Sequence, residues 1–551
     1  MRINFFTKYP IKKSIKFSRN SIFFLPLLVV GASLVLSVGG WLLVSQGYLQ
    51  PAKYFFLLAQ PVSKTTSLVF LQRWPVINFW HETNQLGAEV SQVLSVAQHQ
   101  EQPLNWLLTT TANQSLLTNL EQTLKAGESS WLINNLATKQ GIELTEFHDL
   151  LALSRVLIQE KNSAKKYLLV FQNTDEIRAT GGFIGSYAVL DFAQADFTQL
   201  EIRDIYDPSG ISPSLPAPVG HDLYLSENQG LKLHDANWNP EFSASAQDIL
   251  WFFARIEDDP QTYDGVIAIN FSTVEKLVSL LGEIYLPDEK VFVEASDLAT
   301  LLRSNRADFF AGSKQKEHEL DSFKTALLLK IQSLSKSEFL TVAKHLLNQG
   351  LWREVQFFAT DEAVEKQLVE LGVAGELYAY QPNELFIFPV ESNVGINKAN
   401  RWLTREITTE QIDQLLRLTI SFNNQATLLD RPAVTVINNP AYKTAGHLGY
   451  INYYRIITSS NLYLISVKVG EEVLTSWDKT SLTAANGQLY FQHGFLVTVP
   501  EASNKTVVLD FSRSDEQSDY QQLVIQKQAG LSYQNRVAEF LKTRFWLEDV
   551  E

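Results

Sequence analysis

The sequence predicts a central α/β domain with a membrane-proximal helical segment before it, a C-terminal β-sandwich-like domain after it and one N-terminal transmembrane helix. Three observations carry this reading. No charged residue occurs from Asn20 to Ala52, strand and helix signals alternate between 164 and 420, and short β-rich runs separated by turns follow from 421. The chain has 551 residues, of which 45% are hydrophobic, enough for several large cores and unlike a disordered or collagen-like chain. The boundaries read as a basic cytoplasmic tail (1–20), a transmembrane helix (21–46), a helical stalk or layer (47–163), the α/β domain (164–420), the sandwich-like domain (421–535) and a tail (536–551).

Ile22 to Val44 is almost wholly apolar, and as a helix it would be about 34 Å long, enough for a hydrocarbon core of about 30 Å. Pro26 falls within the first turn or so, where proline is tolerated, and Trp41 and Tyr48 suit the far interface. Six basic residues (Arg2, Lys8, Lys12, Lys13, Lys16, Arg19) precede the run and Lys53 is the first charge after it. That asymmetry predicts a single-pass protein of the cell membrane, N-terminus cytoplasmic and later domains extracytoplasmic. A cleaved signal peptide fits less well, since the run exceeds an ordinary h-region and no small-x-small site follows. With the six basic residues set aside, a whole-chain charge of −14 becomes −20 for the rest. So acidic a body repels phosphate backbones, and nucleic acid is not an expected partner. The absence of cysteine excludes thiol catalysis, disulfides and Cys-ligated zinc.

Along the stalk, Leu86, Val90, Val93 and Val96, then Leu116, Leu117, Leu120 and Leu124, recur at helical spacing. Tyr167 to Phe171 and Ser186 to Phe192 read as strands flanking a glycine-bearing loop, NTDEIRATGGFIG. A strand at Phe197 to Ile202 follows. Gly265 to Phe271 reads as a buried strand, and Ser272 with Glu275 as a capping box opening a helix that stops at Gly282, before a further strand at Ile284 to Leu286. Ser245 and Asp248 announce another helix over 249–256; 297–350 is helical and Glu384 to Val390 a late strand. Candidate strands then run at Leu416 to Phe422, Ala433 to Ile437, Leu462 to Val469, Leu489 to Gln492 and Val507 to Phe511, with turns at Asn439-Pro440 and Asn486-Gly487. Asn535 to Leu547 reads as a short helix.

Chemistry concentrates in four stretches. In Asn173 to Ser186, three glycines permit close backbone approach and Arg178 could face an anion; the stretch reads first as a tight structural loop and second as a ligand loop. Arg203 and Asp204 stand at a strand end, where an Arg-Asp pair can bind phosphate or form a surface ion pair. Residues His234 to Phe242, with Asn237, and Glu391 to Arg405, with Asn393, Lys398 and Arg405, form polar loops fit either to line a cleft or simply to bond themselves. No H-E-x-x-H, G-x-S-x-G, G-x-G-x-x-G or Walker A pattern occurs.

At these stretches the chain resembles the bacterial membrane-anchored domain-of-unknown-function family 4012. The likeness rests on YLLVFQNTDEIRATGGFIGSYAVLDF (167–192), LHDANWNPEFSASA (233–246), DGVIAINFSTVEKLVSLLGEI (264–284), ESNVGINKANRWLTREI (391–407) and VIQKQAG (524–530). The order of these segments is also similar, more remotely, to the LytR-CpsA-Psr phosphotransferases, which transfer lipid-pyrophosphate-linked glycopolymers to the cell wall. That second resemblance implies Arg178 and Arg203 on a pyrophosphate and Asp204, with Asp175 beside it, on Mg²⁺. Arg303 and Arg306 echo that family's later arginine-rich stretch, and its downstream Arg-Gln pair is missing. The expected function is a binding or scaffold role at the cell surface, with a lipid-linked glycopolymer or an envelope protein as partner. The alternative is a phosphotransferase, so whether the chain is an enzyme stays open.

Overall fold

The computed structural model describes residues 165–191, 202–206, 213–225, 229–256, 262–286, 290–295, 336–351, 353–412, 415–430, 448–513, 522–532 and 545–549. It also describes 49–69 and scattered positions within 33–40, 84–88, 152–156 and 322–334. Most of the expected membrane span and stalk, the strands at 197–201 and 433–437, the Asn439-Pro440 turn and the stretch bearing Arg303 and Arg306 lie outside these residues. The chain divides into two compact units, Met1–Ala152 and Leu153–Glu551. In the first, helix α1 (Leu49–Val69) is the main described element. No described helix is long and apolar enough to cross a membrane.

The second unit is mixed α/β with several sheets. Its first sheet contains β1 (Lys166–Arg178), β2 (Gly181–Asp191), β3 (Ile202–Asp204), β4 (Gly265–Asn270) and β7 (Val355–Ala359), in the order β3-β2-β1-β4-β7. β1 runs parallel to β4 and all other neighbours are antiparallel. Against it packs α3 (Phe242–Ile256), whose Phe242, Ala246, Ile249, Phe252, Phe253 and Ile256 join Leu168, Val170, Ile184 and Val266 in one core. The short helix α2 (His221–Tyr224) and a 3₁₀ turn (Leu233–Trp238) precede α3. α4 (Phe271–Leu281) ends at Gly282, whose φ of 72° is the left-handed conformation glycine accepts.

Two larger sheets follow. One is ordered β13-β12-β16-β10-β9 and the other β14-β15-β11-β8-β17-β18. They comprise β8 (Glu384–Asn393), β9 (Leu403–Ile412), β10 (Leu415–Asn424), β11 (Tyr450–Ser459), β12 (Leu462–Val469), β13 (Glu472–Val473), β14 (Asp478–Thr483), β15 (Leu489–Val499), β16 (Ser503–Arg513), β17 (Gln522–Gln526) and β18 (Phe545–Asp549). Leu418, Ile420, Val507 and Leu509 from one sheet and Ile387, Tyr454, Ile456 and Val497 from the other share a single core. β11 is buried along its whole length because its opposite side, through Ile451 and Tyr453, packs on Trp238 and Leu231.

Several sequence expectations change in detail. The loop expected over 173–185 is mostly strand: β1 continues to Arg178 through a bulge and only Ala179-Thr180 turn. Ser272 and Ser245 do not open their helices. α4 begins at Phe271 and Ser272 donates to Glu354 Oε2 at 3.2 Å, while α3 begins at Phe242 and Ser245 donates to the Asn239 carbonyl at 2.9 Å. Ile284–Leu286 (β5) does not rejoin the first sheet but pairs with β6 (Val291–Val293). β8 and β9 belong to the large sheets, although the sequence places them in the α/β block, because the Glu384–Asn393 run pairs with β11 and β17. Phe545–Leu547, expected as the end of a helix, is strand.

Candidate functional site: a buried arginine-carboxylate seam

The family-like stretches meet in one layer of buried polar groups between the first sheet and β8. Two glycines make the approach possible. A Cβ on Gly181, whose φ is 146°, would stand 1.9 Å from Asn270 Oδ1, and one on Gly182 would stand 2.1 Å from the Asn173 carbonyl oxygen. With no side chain there, Asn237 Nδ2 donates to the Gly182 carbonyl at 2.7 Å and to Gln172 Oε1 at 2.5 Å, while its own buried Oδ1 has no partner among the described residues. Thr180 Oγ1 donates to the same Gln172 oxygen at 2.8 Å.

Arg178, at the end of β1, is the centre of this layer. Its Nε donates to Asp235 Oδ1 at 2.8 Å, Nη2 to Glu176 Oε1 at 2.8 Å, and Nη1 to the carbonyls of Asn393 at 2.7 Å and Ile177 at 3.1 Å. These bonds engage four of a guanidinium's five N–H groups. Asp235 also lies 3.4 Å from His221 Nε2 and 3.7 Å from His234 Nε2. Burial alone would raise the Asp235 pKa, but the Arg178 charge and the two histidines outweigh it and hold the carboxyl far below the usual range. Glu176 goes the other way: burial raises it more than Arg178 and Lys398 lower it. His234 is pushed down by burial and therefore stays neutral near pH 7.

One edge of this cluster reaches solvent. The His234 side chain is 28% exposed and that of Glu176 13%. The His234 ring lies 5.5 Å from the Phe183 ring and 5.3 Å from the Tyr206 ring, with Arg178 5.8 Å from the Phe183 centroid. Glu176 and His234 thus stand at the mouth beside an aromatic surface, while Asp235 and Arg178 behind them stay ionised.

The other sequence-selected residues separate into three places. Asn393 joins the cluster through its carbonyl, and its side chain bonds Asn397 and the Gly395 N–H. Lys398 is half-buried and close enough for Glu176 to feel its charge. Arg405 forms a separate, two-pronged pair with Glu391 at 2.7 Å for each bond, to which Tyr450 and Asn400 add. Arg203 is exposed on β3 opposite Tyr187, six residues along β2 from Gly181, the partner of Arg178. At about 3.3 Å per residue that is roughly 20 Å. Asp204 beside it is buried and accepts from the Tyr206 N–H at 3.0 Å; Asp175 is buried, its N–H donating to Asn173 Oδ1. The seam thus gathers Arg178, Asn237 and Asn393, with Lys398 at its edge, and not Arg203. Among the described residues no group of three or more His, Asp or Glu side chains is placed to hold a metal ion.

Several residues not singled out as site candidates complete the seam. Gln528 donates to the carbonyls of both Arg178 and Glu391, at 2.8 Å each, and accepts from the Glu391 N–H. Lys527 pairs with buried Glu354 at 3.0 Å, and the same carboxylate takes bonds from Asn270 and Gly530. Arg455 has no carboxylate partner among the described residues. Its Nη2 donates to the Trp238 carbonyl and to Ser392, its guanidinium sits 4.7 Å from the Trp238 ring, and burial lowers its pKa to about 10. The available signal was segment membership: Asp235 and Gln528 both lie within the family-like stretches.

The class of protein is therefore a mixed α/β body joined to two large facing sheets by buried hydrogen bonds and the Lys527–Glu354 ion pair. Residues 162–306 match the model of a family described as protein of unknown function (DUF4012), so the family resemblance holds over this stretch, which contains Glu176, Arg178, Asp235 and Asn237. No curated protein and no solved structure matches the chain.

Proposed function

We propose that the chain is a single-pass, membrane-anchored extracytoplasmic protein of the cell envelope with a binding or scaffold role at the cell surface. On this reading the two facing C-terminal sheets form a β-sandwich-like module, and the partner is an envelope glycopolymer or protein. The observation that carries it is Arg178. Recognition of a diphosphate needs a free guanidinium fork, whereas this one is turned onto Asp235, Glu176 and two carbonyls. Arg203, the second arginine that the phosphotransferase resemblance calls for, stands roughly 20 Å away along the strand. The membrane anchor is supported by the uncharged run from Asn20 to Ala52 and the basic residues before it.

The test is a titration of the full chain in lipid nanodiscs with a polyprenyl-pyrophosphate lipid, with and without Mg²⁺, beside purified envelope polysaccharide. The proposal expects binding of the polysaccharide, indifferent to Mg²⁺, and no saturable binding of the pyrophosphate lipid. Saturable, Mg²⁺-dependent binding that Arg203→Ala abolishes would favour the phosphotransferase.

A further inference from the structure

The first unit shows an inverted pattern of burial. Among the described side chains of α1, the buried ones are small or hydroxylated, Ala52, Ala59 and Ser63, around Phe56. Those that are exposed are large and apolar: Tyr54 at 63%, Leu57 at 42% and Leu58 at 64%. Positions 54, 57, 58 and 61 fall on one helical face, and Pro61 completes it as another exposed residue. The helical residues at 33–40 repeat the pattern, with Ser33, Ser37 and Gly40 buried and Val35 and Val38 exposed at 71% and 60%.

The two helical segments pack on each other through their small residues. Ser33 Oγ donates to the Ala59 carbonyl at 2.9 Å. A Cβ on Gly40 would stand 2.7 Å from the Phe56 ring, and one on Gly39 would stand 2.9 Å from Phe55. Gly40 therefore meets Phe56 while Ser33 meets Ala59, so one segment descends as the other rises. In water such a pair would turn its leucines and valines inward. Small residues at the seam, a hydroxyl bonded across it and large apolar residues outside are the arrangement that helices adopt in hydrocarbon.

We infer that α1 is part of the membrane anchor: the Tyr54, Leu57 and Leu58 face lies against lipid acyl chains, antiparallel to the uncharged segment. This rests on the proposal that the uncharged run enters the bilayer, and it replaces a lone rod with a helix pair. Lys53 precedes the apolar turns of α1 in sequence and is half-buried, which suits a helix at the hydrocarbon boundary.

The cysteine-free chain gives a clean background for the test. Single variants Val35→Cys, Leu57→Cys, Leu58→Cys and, as an aqueous reference, Glu471→Cys are labelled with an environment-sensitive fluorophore. The full chain is reconstituted in phosphatidylethanolamine–phosphatidylglycerol vesicles carrying an acyl-chain spin-label quencher. The inference expects quenching at 57 and 58 at least fivefold above that at 471 and comparable with that at 35. Quenching at 35 alone, with the chain retained in the pellet after alkaline wash, would overturn the helix pair and leave the anchor standing. Loss of the chain from the pellet would overturn both.

Discussion

Arg178 and Arg455 are both fully buried, and the structure treats them in opposite ways. Arg178 is met by two carboxylates and two carbonyls, whereas Arg455 has a carbonyl, a hydroxyl and the face of Trp238. The electrostatic consequence is visible in their proton affinities: that of Arg178 is raised because Asp235 and Glu176 outweigh its burial, while that of Arg455 falls to about 10 because burial acts almost unopposed. A buried charge whose partners are other buried charges is costly to disturb from either side, since deleting one leaves the other stranded. A buried charge held by neutral acceptors strands no opposite charge when it is removed. The seam around Arg178 thus couples the first sheet to β8, and Arg455 adds a milder link between β11 and the 3₁₀ turn.

Four substitutions would break or sharpen this contrast. Asp235→Ala takes the principal counter-charge from Arg178 and is expected to cost about 3–5 kcal/mol in urea unfolding followed by tryptophan fluorescence. Gly182→Ala drives a methyl group into the Asn173 carbonyl and should cost roughly 2–3 kcal/mol in the same assay. Glu365 separates electrostatic cost from packing. Burial raises its pKa from 4.5 to about 7, opposed by the Ala359 N–H it accepts from and reinforced by Glu376 and Glu241. Because the folded value lies above the unfolded one, its contribution is full below about pH 4.5 and is lost as pH rises through 7. Glu365→Gln should therefore flatten the pH dependence of stability between those values, by up to about 3 kcal/mol. The smallest effect is expected at Arg455→Met, within about 1 kcal/mol of the parent; a loss as large as that of Asp235→Ala would erase the contrast.

Much of the fold was legible because its signals are local. The runs YLLVF and SYAVLD lie within β1 and β2, Gly282 stops α4, and Asn486-Gly487 makes the turn between β14 and β15, with Gln488 N donating to Asn486 Oδ1. Other features depended on distant partners. β11 gives no alternation because both its faces are covered, and Asn452 and Arg455 interrupt its apolar run. Ser272 and Ser245 match the capping pattern, yet Glu354 and the Asn239 carbonyl take their hydroxyls. At the site, Arg178 was visible as a charged residue in an apolar and glycine-rich setting. Its partner Asp235 lies 57 positions away, and the link to Glu391 through Gln528 spans 137. Spacing alone could not connect these, although each lies in a stretch that the family resemblance had marked.

The central claim is that Arg178 serves as a structural partner of Asp235, and a double-mutant cycle on this pair tests it most directly. Asp235→Leu alone should destabilise strongly, and Arg178→Met with Asp235→Leu should recover much of the loss, giving a coupling energy of at least about 2 kcal/mol. Additive losses in the double variant would contradict the account and return Arg178 to the list of groups free to meet a ligand.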